Sequence, residues 1–243
     1  MRIALVTDLH GNEIAVEAVL EQIRHLGVDG VVCLGDVATL GPRPVEVLQR
    51  LQELRCPCVL GNHDAFLGRP ELIQHYTRAA PVVEAIHWCR SLLTQEQIEW
   101  LGGLPAHLEL ALGGATTLLG YHGSPRSSTD DLLSTTPADE LGRMFGGHEA
   151  AVMAGGHTHI QMLRQHRGTL VVNPGSVGLP FREYVGGGPP EILDHAEYAV
   201  VTATAGSISV DLRRVELAVA TLRASLERSD LPLASMLLQQ YRA

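Results

Sequence analysis

The segment Ile3-Ala4-Leu5-Val6-Thr7-Asp8-Leu9-His10-Gly11-Asn12 decides the fold class. Residues Ile3 to Thr7 are apolar and β-branched, as expected of a strand buried on both faces. Asp8 to Gly11 then form a loop. Asn12 can cap a helix from Glu13 to about Leu26, with Gly27 as its stop. Ala15, Ala18, Val19, Ile23 and Leu26 make its apolar stripe. A second strand, Gly30 to Leu34, ends at Gly35-Asp36. After Pro42 and Pro44 comes a helix around Val45 to Leu54. A third strand, Cys58 to Leu60, ends at Gly61-Asn62-His63-Asp64. A β-α-β-α-β start predicts an α/β fold with parallel strands, whose sites form in loops beyond the strands' carboxyl ends. Asp8, Asp36 and Asn62 all fall in such loops.

Further along, residues 65 to 105 read as mainly helical. One helix is expected over Ala79 to Leu92. A second follows a capping box of Thr94 with Gln97, and His87, Trp88 and Trp100 are expected to pack in these helices. His107 to Leu112 and Thr116 to Tyr121 form a hairpin around Gly113-Gly114. The second strand ends at His122-Gly123-Ser124-Pro125. A polar loop, Ser127 to Thr136, leads into a helix reaching about Phe145. Ala150 to Ala154 is a strand ending at Gly155-Gly156-His157-Thr158-His159. Thr169 to Val172 is another, ending at Asn173-Pro174-Gly175-Ser176. Gly186 to Pro190 is a glycine- and proline-rich loop, placed by its composition over the site. A late strand pair, Glu197 to Thr202 and Ile208 to Val215, precedes two helices, about Leu217 to Leu226 and Ala234 to Tyr241. No internal repeat or linker interrupts residues 1–243, so a single domain is expected.

The chain has 45% hydrophobic and 19% charged residues, ordinary for a globular protein. Its formal net charge of −9 offers no basic surface, so long nucleic acid is disfavoured as a partner. Met1 and Arg2 run directly into a strand with no secretory signal, and no apolar run reaches membrane-spanning length. A cytoplasmic protein without a membrane partner is expected, its four cysteines, Cys33, Cys56, Cys58 and Cys89, free thiols.

Six predicted strands end in Asp, Asn or His beside glycine, which lets ions or phosphates approach the backbone closely. Asp8-x-His10 and His157-x-His159 share a spacing that, in extended chain, points both side chains the same way. Mixed carboxylate, amide and imidazole donors suit Mn, Fe, Zn, Co or Ni better than Ca, and the lack of a thiolate argues against structural zinc. Together the set reads as a two-metal site hydrolysing phosphate esters. His25, His75, His107, His148, His166 and His195 lie outside the motifs and are expected at the surface or in satisfied interior positions.

The motifs are Asp8-Leu9-His10-Gly11-Asn12, Gly35-Asp36, Gly61-Asn62-His63-Asp64, His122-Gly123-Ser124-Pro125, Gly156-His157-Thr158-His159 and Asn173-Pro174-Gly175-Ser176-Val177-Gly178, and the likeness they carry extends over nearly the whole chain. In them the sequence resembles the calcineurin-like metallophosphoesterases, most of all their compact bacterial and archaeal phosphodiesterase branch. The resemblance implies a four-layer α/β/β/α sandwich with two mixed β-sheets. It implies Asp8, His10 and His159 on a first metal, Asp36 bridging, and Asn62, His122 and His157 on a second. The metals implied are two divalent or transition ions, Mn foremost, with Fe, Zn, Ni, Co or Mg as alternatives. Two such ions about 3.5–4 Å apart share a water, lower its pKa and clamp phosphate oxygens. By the resemblance, a bridging hydroxide attacks phosphorus in line, and His63, oriented by Asp64, assists the leaving group.

The implied substrate is a small phosphodiester, with a cyclic or linear nucleotide as one candidate. The alternatives are a protein or nucleotide phosphomonoesterase and, in another class, a metal-bound scaffold for a protein partner, such as the retromer small subunit. A homo-oligomer is left open. Relatives that act on phosphoproteins or symmetrical dinucleoside polyphosphates carry Asp-Arg-Gly after the Gly-Asp pair. Here Val37-Ala38-Thr39-Leu40-Gly41-Pro42 stands instead, which lowers those readings and leaves Arg43, Arg126 or Arg182 to supply positive charge.

Overall fold

The computed structural model describes residues 1–186 and 188–241. Strand β1 (Arg2–Val6) leads to helix α1 (Glu13–Leu26) and strand β2 (Gly30–Cys33). As expected, the Asn12 side chain caps α1 by accepting from the Ala15 amide at 3.2 Å, and Gly27 ends the helix in the left-handed conformation. Helices α2 (Pro44–Leu54), α3 (Asn62–Gly68), α4 (Ile73–Tyr76), α5 (Ala80–Leu92) and α6 (Gln95–Gly102) follow, with a 3-10 turn at Pro70–Leu72. Then come β3 (His107–Gly113), β4 (Thr116–Tyr121), α7 (Ala138–Phe145), β5 (Val152–Ala154), β6 (Met162–His166) and β7 (Thr169–Asn173). Strands β8 (His195–Thr204) and β9 (Ser207–Glu216), with helices α8 (Val219–Glu227) and α9 (Ala234–Gln240), complete the chain.

Two mixed sheets face each other. One has the order β2-β1-β8-β9, the other β3-β4-β5-β7-β6. Parallel pairs β1/β2, β4/β5 and β5/β7 sit beside antiparallel β1/β8, β8/β9, β3/β4 and β6/β7. The period-2 geometry of strands sorts their side chains into layers. Ile3 and Leu5 meet Leu118, Val152, Ala154 and Val172 between the sheets. Ala4 and Val6, on the other face of β1, pack on the outer helices with Val16, Val19, Leu48 and Leu226. Leu119, Met153 and Val171 turn the opposite way, to meet Leu141, Met144 and Phe145 of α7. The result is the expected α/β/β/α sandwich.

Three expectations about local structure change. Cys58 to Leu60 is not a full strand: Cys58 forms one parallel bridge with Cys33, flanked by Cys33 N–H to Pro57 O (2.9 Å) and Val59 N–H to Cys33 O (3.1 Å). Pro57 has no N–H for the ladder, and Leu60 turns away to donate to Pro105 O at 2.8 Å. Gly61-Asn62-His63-Asp64 is not a loop but the start of α3. An unexpected strand, β6, forms at the edge of its sheet, its Arg164 and Gln165 having masked it. It pairs with β7 through a tight turn in which Arg167 (φ 49°) and Gly168 (φ 88°) are both left-handed, the backbone that two-residue hairpins need.

His87 is exposed rather than packed, while Trp88 and Trp100 are half-buried against the core. Cys33, Cys58 and Cys89 are buried and Cys56 is half-buried, all as free thiols. Among the described residues, no helix is long and apolar enough to cross a membrane.

Candidate metal centre

The strand ends and the start of α3 deliver the candidate ligands to one place. Backbone bonds continue the β1/β2 pairing past the strands: Asp8 N–H to Gly35 O (2.9 Å), His10 N–H to Asp36 O (3.0 Å) and Gly11 N–H to Val37 O (2.9 Å). From the second sheet, Gly156 N–H donates to His122 O at 2.7 Å. Asp8, His10, Asp36, Asn62, His122, His157 and His159 are all buried.

The spacing argument for Asp8-x-His10 and His157-x-His159 fails in its premise. These segments are not extended. Asp8 (φ 51°), His10 (45°), Asp36 (56°), His157 (69°) and His159 (57°) all sit in the left-handed region, which costs a non-glycine residue conformational energy. Of the eight described non-glycine residues with positive φ, these are five. Such concentration marks a backbone held against its preference to aim side chains inward.

Among the described residues, two groups converge with their ligand atoms within 4.8 Å of one another: Asp8, His10 and His159, and Asp8, Asp36 and His122. His159 Nε2 is 3.2 Å from Asp8 Oδ1, and His122 Nε2 is 3.3 Å from Asp36 Oδ2. Asp36 Oδ2 also lies 3.9 Å from His10 Nε2, so it reaches both groups, as does Asp8. Asn62 Oδ1 is 3.0 Å from His122 Nε2 and joins the second group. His157 stands at the edge, its ring centroid 5.3 Å from that of His122, with Nε2 turned to Asp131 Oδ1 at 3.5 Å.

Three imidazoles are oriented by the backbone. The Nδ1 atoms of His10, His122 and His159 meet the carbonyl oxygens of Thr39 (3.2 Å), Leu34 (2.7 Å) and Leu179 (2.6 Å). That makes Nδ1–H the donor and turns Nε2 inward, where the lone pair of the neutral ring is placed as a metal ligand requires. Phe181, which the sequence did not single out, stacks on His159 at 4.2 Å. Asp8 Oδ2 accepts from Thr7 Oγ1 (2.8 Å) and His157 N–H (3.0 Å), while buried Oδ1 has no hydrogen-bond partner. The Asn62 Nδ2 is also unpartnered. An unsatisfied buried carboxylate oxygen facing imidazole nitrogens is costly unless a cation completes it.

Charge balance points the same way. Burial pushes the Asp8 carboxyl up, but His159 and His122 outweigh it and hold it at about 2. Burial likewise opposes ionisation of Asp36, yet His122 and His63 hold it well below the usual carboxylate range. Burial pushes His122 down, yet Asp36 and Asp8 raise it to about 10. Burial and the neighbouring His159 push His10 down to about 3, and burial with His122 takes His157 to about 4. The two carboxylates draw positive charge onto His122 and His159, while His10 and His157 are held below the ordinary imidazole value.

Asp64 does not orient His63. Its Oδ2 accepts from the amides of Asp36 (2.8 Å) and Gly61 (3.2 Å), and Oδ1 from Val37 (2.9 Å). Asp64 is therefore a positioning residue that ties the start of α3 to the Asp36 loop, and burial followed by Asp36 pushes its carboxyl up to about 7. His63 stands beside the ligands with its Nδ1 buried and unpartnered, its ring edge-on to His10 at 5.3 Å. The Asp36 Oδ1 accepts its backbone N–H at 2.9 Å.

The Asn173 to Gly178 motif clamps these loops. Asn173 Nδ2 donates to Gly156 O (2.8 Å) and Thr158 Oγ1 (3.0 Å), and Ser176 Oγ donates to Asp8 O (2.8 Å). A Cβ at Gly156 would run into Thr7 Oγ1 and Asp8 Oδ2. Gly156→Ala is thus expected to displace Asp8, to destabilise by about 1–3 kcal/mol, and to lower bound metal below wild type. Thermal unfolding and metal analysis check this; a variant with wild-type melting and metal content would show that the loop has slack.

Arg43 pairs with Glu13 (3.3 Å) and Glu46 (2.9 Å), Arg126 with Asp130 (2.9 Å) and Arg182 with Glu191 (2.7 Å). All three arginines expected to offer positive charge are thus engaged by carboxylates. The Gly186 to Pro190 loop includes Gly187, outside the described residues. Just before it, Tyr184 Oη donates to Asp131 Oδ2 at 2.6 Å, beside His157. His25, His75, His107 and His148 are exposed, His166 is buried, and His195 meets Glu197 at 3.1 Å.

Residues 1–192 match the calcineurin-like phosphoesterase superfamily domain. An uncharacterized protein of Methanocaldococcus jannaschii is 27% identical over 193 residues, 73% of this chain and 76% of its own. The Escherichia coli phosphodiesterase YfcE is 26% identical over 220 residues, covering 86% and 95%. A crystal structure of a metallophosphoesterase from Sphaerobacter thermophilus aligns over 100% of both chains with a TM-score of 0.74 at 27% identity.

Proposed function

The chain belongs to the calcineurin-like phosphoesterase superfamily, and on that premise we propose that it is a two-metal phosphodiesterase acting on a small phosphate ester. The observation that carries this is the inward convergence of the His10, His122 and His159 Nε2 atoms on Asp8 and Asp36, with Asp8 Oδ1 unsatisfied. Asp8, His10 and His159 would hold one ion, Asn62, His122 and His157 the other, and Asp36 both. His157 would use Nδ1, because Nε2 is turned to Asp131. Mn²⁺ is the ion proposed for both positions. Bound ions of this kind acidify water and draw charge from phosphate oxygens.

The chain's own residues do the rest. Leu34, Thr39 and Leu179 carbonyls hold the imidazoles in register, so little reorganisation accompanies the reaction. His63, outside the ligand groups and next to them, donates a proton to the departing ester oxygen. Burial holds its imidazole below the ordinary value, with Asp36 pulling the other way. A bound phosphate anion raises it and keeps the proton available.

A diester carries one negative charge and a monoester up to two. Asp131 stands at the edge of the centre and the three candidate arginines are paired, which favours the singly charged ester. Asp131→Asn is expected to raise p-nitrophenyl phosphate turnover relative to bis(p-nitrophenyl) phosphate by a few-fold, about 1 kcal/mol of charge repulsion at a partly exposed site. An unchanged ratio would remove Asp131 from substrate selection.

The primary test is hydrolysis of these two esters by the Mn²⁺-loaded protein. Turnover of the diester in preference to the monoester supports the proposal. Preference for the monoester would make the protein a phosphatase. Inertness towards both at full metal loading would favour a non-catalytic scaffold.

A further inference from the structure

Tyr76 is the last residue of α4, one short turn beyond α3, whose first turn supplies Asn62, His63 and Asp64. Its ring stands edge-on to His63 at 5.8 Å and 83°, meets Phe66 at 5.3 Å and lies 6.2 Å from His157. It thus lies between the proposed proton donor and an edge ligand of the centre. Even so, Tyr76 is 43% exposed, so part of its surface stays open to solvent.

We propose that Tyr76 determines specificity by offering its exposed surface to a planar aromatic substituent of the phosphodiester, a nucleobase in the natural substrate. This rests on the phosphodiesterase reading above and adds the substrate class to it. The chemistry of the surroundings favours a stacked, uncharged group. Asp131, with Oδ1 3.5 Å from His157 Nε2, adds negative charge at the edge of the centre and disfavours a second anionic group there. A π-face, by contrast, binds any base without regard to its hydrogen-bonding edge. The ring lies 5.8 Å from His63 and 6.2 Å from His157, within reach of either arm of a diester at the centre, and the arm assigned to it is the one that stays on phosphorus.

The test holds the leaving group constant and varies the other arm. Thymidine 5′-(p-nitrophenyl) phosphate and ethyl p-nitrophenyl phosphate both release p-nitrophenol, so kcat/KM for the pair isolates recognition of the spectator group. With Mn²⁺-loaded protein, the thymidine-to-ethyl ratio is expected to fall about tenfold in Tyr76→Ala, the scale of one base-on-aromatic stack. The change should sit mainly in KM, and Tyr76→Phe should keep the wild-type ratio. Equal losses on both esters in Tyr76→Ala would make Tyr76 a packing residue and overturn the proposal. Loss of the ratio in Tyr76→Phe would assign recognition to the hydroxyl and overturn it as well. If wild type cleaves neither ester, the phosphodiesterase reading itself falls, a result distinct from cleavage without discrimination.

Discussion

Asp36→Asn is expected to abolish most metal binding and to lower diester turnover by about 10³-fold, the scale for removing a group that stabilises transition-state charge directly. The substitution is nearly isosteric. An amide oxygen can still accept the His63 N–H that Asp36 Oδ1 holds at 2.9 Å, so the start of α3 stays in place. What disappears is the charge on Oδ2, the oxygen 3.3 Å from His122 Nε2 and 3.9 Å from His10 Nε2. Two effects on stability make the test sharp. Without metal, His122 and His63 hold Asp36 ionised and Asp36 is the main group raising His122, so removing its charge leaves His122 short of its partner. The metal-free variant should therefore melt below wild type. Added Mn²⁺ should stabilise wild type by about 2.7 kcal/mol at a hundredfold excess over Kd, and the variant far less. Metal content after gel filtration and melting with and without Mn²⁺ decide the matter. A variant retaining full metal content and full metal-induced stabilisation would exclude Asp36 as a ligand.

His63→Ala should behave in the opposite way: normal metal content, slow turnover. His63 belongs to neither converging ligand group, and its buried Nδ1 has no partner to be orphaned by truncation. Alanine is well suited to the first turn of α3. Loss of a positioned acid costs about 10²–10⁴-fold in rate, and the cost grows as the leaving oxygen becomes more basic. Across a series of aryl phosphodiesters, the rate of the variant should therefore fall more steeply with leaving-group pKa than that of wild type. Parallel slopes would mean that His63 gives no proton in the transition state. A deficit of metal would make it a ligand instead.

Read alone, the sequence determined an α/β start with parallel strands and the set of Asp, Asn and His residues at strand ends, because both rest on short-range rules, while the four layers followed from the family resemblance. Alternating and continuous apolar runs specify strands, Asn12 and Gly27 punctuate α1, and Asp, Asn and His beside glycine at strand ends mark positions where side chains can project freely. Strand β6 escaped because an edge strand needs little apolar character, and its evidence lies in the left-handed Arg167-Gly168 turn. The role of Asp64 escaped because adjacency in sequence suggests a partner that geometry does not supply: in α3 its carboxylate turns to the amides of Asp36, Val37 and Gly61. The Asp8/His10 and His157/His159 pairs were found, but for a reason the backbone overturns, since left-handed φ angles rather than extended chain aim them. Only tertiary structure decided the carbonyl partners of His10, His122 and His159, the pairing of the arginines, and the places of Tyr76, Asp131 and Phe181 around the centre. Those contacts join segments as far apart as 88 residues. Such contacts depend on how two sheets pack face to face, and no local pattern in the chain encodes that directly.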